Sequence, residues 1–187
     1  MANVLFISES FVKDNTLLHE NIDFKFLRPV IILCQDIHLQ PKLGSTLYDQ
    51  LKAQIIGGSL TAANTTLLND YIQPMLLYWV QAEAPSAISY KFLNKGLMQQ
   101  SSENSSAASL DEINFISQKY KDRAEWYTER LVAYLLENDS DYPAYQNPDD
   151  GLDVIQPETR VYTSGMYLGR RPKFISLEDK YERKRQY

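Results

Sequence analysis

The chain has 187 residues, 44% of them hydrophobic and 23% charged, with a formal charge of −5. That is the length of one domain with enough apolar content for a core, which argues against wholesale disorder. The longest purely apolar run, Val30 to Cys34, falls far short of the ~20 residues of a membrane span. The first residues lack the basic flank and apolar stretch of a secretory signal. A single cysteine excludes an internal disulfide framework and a cysteine-rich zinc site, and it fits reducing cytosol or a particle assembled there.

In chain order, Asp23 is placed to cap a helix carrying Leu27, Ile31, Cys34 and Ile37, which is expected to end before Pro41. Ser45 is placed to cap a second, carrying Leu47, Tyr48, Leu51 and Ile55 and stopped by Gly57-Gly58. A third starts near Thr61 or Asn64, buries Leu67, Leu68, Tyr71, Ile72, Met75, Leu76, Trp79 and Ala82, and is expected to reach about Asn94. Pro74 and Pro85 lie inside it, and each predicts a kink or break, because proline lacks the backbone donor and crowds the preceding turn. Residues 99–109 read as a polar, low-complexity, mobile connection. Ser109-Leu110-Asp111-Glu112 is a capping box, followed by Ile113, Ile116, Tyr120, Ala124, Tyr127, Leu131 and Tyr134 at spacings of three and four. The longest helix is therefore expected over 109–138, and both Trp79 and Trp126 are expected at least half buried.

These blocks predict a mainly α fold, an antiparallel helical bundle over residues 1–140, with an extended C-terminal arm over 141–187. The arm holds four of the eight prolines and six of the thirteen tyrosines, without helical periodicity. Its charge is split: residues 141–158 carry five acids and no base, residues 160–187 eight bases and three acids. Extended, tyrosine-rich chain suits contact with a partner, and wrapping on its own bundle is the alternative. The expected anchors on a neighbouring subunit or other partner are Tyr162, Tyr167, Phe174 and Ile175, with Arg170 and Arg171 pairing to acidic groups.

No catalytic constellation, cofactor site or metal site emerges. Cys34 and His38 share a helix face like half a metal site, but a structural zinc needs about four ligands, and a buried cysteine beside a hydrogen-bonded histidine is the simpler reading. Phosphate-binding glycine loops are missing, and Asp139-Ser140-Asp141 places Pro143 and Ala144 where a calcium loop needs a ligand and a glycine. The basic clusters at Arg170-Arg171-Lys173 and Lys180–Arg185 are interleaved with acids, which suits a solvated helix at least as well as phosphate contact, and sequence-specific DNA readout is not expected.

The segment Asp36-Ile37-His38-Leu39-Gln40-Pro41-Lys42-Leu43-Gly44-Ser45-Thr46-Leu47-Tyr48-Asp49-Gln50-Leu51 resembles the N-terminal pattern of head-to-tail connector (adaptor) proteins of tailed bacteriophages, most of all those of crAss-like phages. A helix there ends at an x-Pro-x-Leu-Gly turn and restarts as Leu-Tyr-x-x-Leu. The resemblance runs more loosely through 71–80 and 120–138 and covers most of 25–145. It implies a non-enzymatic virion protein without cofactors, at the head-to-tail interface. Its copies would form a homo-oligomeric ring, typically twelvefold, beneath the portal protein. The ring would meet other tail or ring proteins and conduct DNA without reading its sequence. Two other readings stay open: a cytosolic helical interaction or regulatory module, monomeric or dimeric, and, weakest, an enzyme using scattered carboxylates.

Overall fold

The computed structural model describes residues 4–19, 21–93, 96–99, 109–149 and 154–159. Among these described residues, seven α-helices make the body: α1 (Glu9–Asn15), α2 (Phe24–Cys34), α3 (Gln40–Gly57), α4 (Ala62–Thr66), α5 (Gln73–Ser89), α6 (Leu110–Glu137) and α7 (Pro143–Gln146). The mainly α, antiparallel bundle read from the sequence is what the chain forms. Several of its caps are those the sequence marks, but Ser45 is not one: α3 starts at Gln40 without a side-chain cap, and Ser45 Oγ accepts from the Ile155 N–H instead. Asp23 accepts from the Lys25 N–H and Thr61 from the Asn64 N–H, while Gly58 closes α3 in the left-handed region at φ 61°. Both halves of the Ser109–Glu112 capping box are made, and they hold the Glu112 carboxyl below its usual pKa.

Two joints differ from the expected breaks. α2 runs into α3 through a π turn (Gln35–Leu39), and α4 runs into α5 through another (Leu67–Ile72). In each, the glutamine before the proline donates five residues back, Gln40 to the Gln35 carbonyl and Gln73 to the Leu68 carbonyl. The wider turn makes room for the rings of Pro41 and Pro74, so the helices pass through both. α5 likewise continues across Pro85. The break near Pro41 comes three residues later, at Gly44, whose φ 74° and ψ 157° are not helical.

α5 is the centre of the body, with α2 and α6 both packed on it. Its antiparallel register with α6 is set by two stacked tyrosine pairs. Tyr71, in the second π turn, meets Tyr134 at 3.9 Å, and Tyr78 meets Tyr127 at 4.8 Å. Seven residues separate the members on each side, so the two pairs fix one direction and one register. Next to the second pair Trp79 Nε1 donates to Thr128 Oγ1 at 3.0 Å. The glutamines flanking the π turns tie down the N-terminal segment. The Phe6 N–H donates to Gln35 Oε1 at 2.9 Å, Gln35 Nε2 to the Val4 carbonyl, and Gln73 Nε2 to the Phe6 carbonyl. Phe6 and Ile7 thereby enter the core.

Three expectations are corrected. α5 stops at Ser89, and the chain continues as an antiparallel hairpin of β1 (Tyr90–Leu93) and β2 (Gly96–Gln99), paired Tyr90 to Gln99 and Leu93 to Gly96. The alternation through Tyr90 and Phe92 before Gly96 is a strand signal that helical continuation overrode. Trp126 is 57% exposed, not half buried, whereas Trp79 is buried. The body also continues past residue 140: Tyr142 and Tyr145 are buried in its core, so residues 142–146 are not extended chain reaching for a partner. The expected polar connection falls mostly on residues 100–108, outside the described residues.

Candidate interaction surface

The turn that carries the resemblance has a second use. Residues 154–159 run extended along residues 41–46. The Ser45 N–H donates to the Ile155 carbonyl at 2.9 Å, and Ser45 Oγ accepts the Ile155 N–H at 3.0 Å. The Glu158 N–H donates to the Pro41 carbonyl at 2.8 Å, and Lys42 Nζ lies 3.0 Å from Glu158 Oε2. Upstream, the Asp149 N–H donates to Thr46 Oγ1 at 3.1 Å. Ser45 therefore serves the C-terminal segment, where the sequence suggests only a helix cap.

Gly44 is fixed here twice over. Its φ 74° is unfavourable for any residue with a Cβ, and a Cβ would lie 2.7 Å from Pro157 Cγ and 3.1 Å from the Ile155 carbonyl oxygen. Glycine thus lets the Pro157 ring rest on backbone. Leu47, Tyr48 and Leu51 point into the core, and the Tyr48 hydroxyl donates to Asp36 Oδ1 at 3.1 Å. Burial, with Asp36 second, raises the Tyr48 pKa.

Next to this turn, His38 lies flat on Trp79, with centroids 3.5 Å apart and planes at 8°. Its Nε2 is 3.8 Å from Glu83 Oε1. Burial, aided by the positive Lys121 and Lys42, brings the imidazole pKa down to about 4. Cys34 is fully buried, and burial together with Glu83 raises its thiol pKa. The pair is a packed cysteine and a stacked histidine, and no cluster of three or more metal-ligating side chains occurs among the described residues.

The outer side of the body carries apolar residues that the bundle does not use. Phe115 is 72% exposed, and it sits eleven residues from the exposed Trp126 on one face of α6. That face is opposite the Ile113–Ala124–Leu131 stripe that packs inward. Ile116 and Leu136 are exposed beside it. On the α2 side, Leu33 and Ile37 are also exposed. The spacing of Phe115 and Trp126 was the signal available in the sequence: both fall out of phase with the buried stripe. The arm residues singled out from the sequence, Tyr162, Tyr167, Arg170, Arg171, Phe174 and Ile175, all lie outside the described residues.

The fold and this surface define a helical bundle protein with an extended C-terminal segment bound to its own surface and apolar residues on two of its helices. The chain belongs to the family described as "Family of unknown function (DUF6712)", whose profile matches residues 39–153. That span begins at the end of the first π turn and takes in the Gly44 turn, α5 and α6. No curated protein matches the chain, and no solved structure does. No helix among the described residues is long and apolar enough to cross a membrane.

Proposed function

We propose that the protein is a structural subunit of a head-to-tail connector ring in a tailed bacteriophage. Its copies would stand side by side beneath the portal, extend the DNA channel and receive the tail. The observation that carries this reading beyond the motif at 36–51 is the pair of exposed apolar faces, Phe115–Trp126 on α6 and Leu33–Ile37 at the junction of α2 and the first π turn. A cyclic ring closes through a heterologous interface, in which one patch of each subunit meets a different patch of the next. Two separate apolar faces on one small body meet that need, and exposed tryptophan and phenylalanine are typical interface anchors. In this role the protein performs no catalysis and holds no cofactor, and its residues 160–187, with a balance of +5, are the portion offered to the portal.

The test mixes the protein with a portal protein sought in the same genome and reads mass in solution and negative-stain images. A closed ring seated on the portal is the expected result, and Trp126→Glu is expected to prevent it while leaving the helical content unchanged. A monomer or dimer that ignores the portal would sink the connector reading in favour of a cytosolic interaction module.

A further inference from the structure

The C-terminal segment meets the body through groups that recognise a peptide rather than through a shared core. Four features act together on residues 155–158. Ser45 offers a backbone donor and a hydroxyl acceptor to the two sides of Ile155. The Pro41 carbonyl accepts the Glu158 N–H, and Pro157, which has no N–H to satisfy, lies over Gly44. Lys42 then meets the Glu158 carboxylate. Backbone pairing at an exposed edge, a shape-selective contact for one residue and a charge contact for another are the parts of an extended-peptide site. Meanwhile Ile155, Gln156, Glu158 and Thr159 remain exposed, so little apolar surface binds the segment to the core.

We infer that the Pro41–Thr46 turn is a recognition slot for an extended Ile-x-Pro-Glu peptide, and that residues 155–158 of the same chain occupy it in an equilibrium separate from unfolding of the body. The slot fixes where the chain beyond Thr159 starts, directly beside the first π turn. Resting on the connector reading, this makes the slot the anchor from which residues 160–187 reach the portal. The recognition itself needs no ring.

The test uses the full chain and amide hydrogen exchange. Pro157→Gly combined with Glu158→Lys removes the ring contact and reverses the charge without touching the body's backbone. The Ser45 and residue-158 amides are expected to exchange at least tenfold faster, while the amide of Leu131 keeps its rate. A synthetic peptide with the sequence of residues 153–160, added at millimolar concentration, is expected to restore protection at Ser45. It should not do so when Gly44→Ala is also present. Unchanged exchange at Ser45 and residue 158 would overturn the slot. Equal acceleration at Leu131 would show the segment to be part of the cooperative body. Failure of the peptide to protect Ser45 would remove the claim of recognition. All three readouts come from the isolated chain, so they stand apart from a failure to form rings on the portal.

Discussion

Two short stretches follow the longest helix, and the body holds them by different means. Residues 142–146 return to the core through side chains. Tyr142 is 1% exposed, its hydroxyl donates to the Ala63 carbonyl at 2.9 Å, and its ring meets Tyr134 edge-on. Residues 154–159 return to the surface through backbone bonds and one exposed ion pair. The two lie within twenty residues of each other and each holds one proline, yet the tyrosine-bearing one is core and the other a detachable strap. The difference is buried apolar area, which scales with stability, whereas hydrogen bonds at a wet surface exchange for water at a net ~1 kcal/mol each.

The largest break in this contrast is Tyr142→Ala. Removing a fully buried aromatic ring is expected to cost about 3–5 kcal/mol, a sizeable part of the total stability of a domain, and to lower the denaturation midpoint of the whole body. A midpoint unchanged within error would place 142–146 with the strap. Acid sharpens the contrast next. The His38 pKa is lowered to about 4 from an unfolded value near 6.5, so its contribution is complete above pH 6.5 and is lost as pH falls through 4. Glu83 at 3.8 Å favours the protonated ring, but burial and the two lysines outweigh it. Discounted for partial exposure, the loss is about 1–2 kcal/mol. His38→Gln is expected to flatten that part of the stability–pH curve between pH 6.5 and 4, and an unaltered slope would assign it elsewhere.

Two tyrosine hydroxyls provide the smaller tests. Tyr142→Phe gives up bonds to Ala63 and Tyr134, and about 1–2 kcal/mol should go with them in urea denaturation. Tyr145→Phe removes a buried hydroxyl that has no hydrogen-bond partner among the described residues, so it is expected to be neutral or stabilising. A loss equal to that of Tyr142→Phe would reveal a partner for Tyr145. Smallest of all, Glu158→Gln should change global stability by less than ~0.5 kcal/mol, as an exposed pair does, while speeding exchange locally at residue 158.

The parts of this fold legible in the sequence are those set by neighbours along the chain. Asp23, Thr61, Gly58 and the Ser109–Glu112 box each satisfy backbone groups within four residues, and they mark the ends the helices have. The π turns were hidden because a proline inside an apolar pattern reads as a break; whether the turn before it widens instead depends on what the freed groups meet. Here that includes Gln35 and Gln73, which reach residues 4–6 from 29 and 67 positions away. The strap was hidden for the same reason. Ser45 and Ile155 are 110 residues apart, and neither Gly44 nor Pro157 alone says what rests on it. Trp126 shares an amphipathic helix with Ile113 and Ala124, and it is its phase, nearly opposite theirs, rather than membership of the helix that leaves it exposed.

The two tryptophans thus give the protein a pair of optical probes with separate addresses. Trp79, stacked on His38 and bonded to Thr128, emits from the interior beside a titrating ring. Trp126 emits from water on the outer face of α6. Quenching by iodide or acrylamide should act on Trp126 first, and a partner that covers α6 should shield it and shift its emission to the blue. Protonation of His38 should dim Trp79 without moving the other. Single replacements by phenylalanine would separate the two signals, so assembly and acid response become readable in one unlabelled sample.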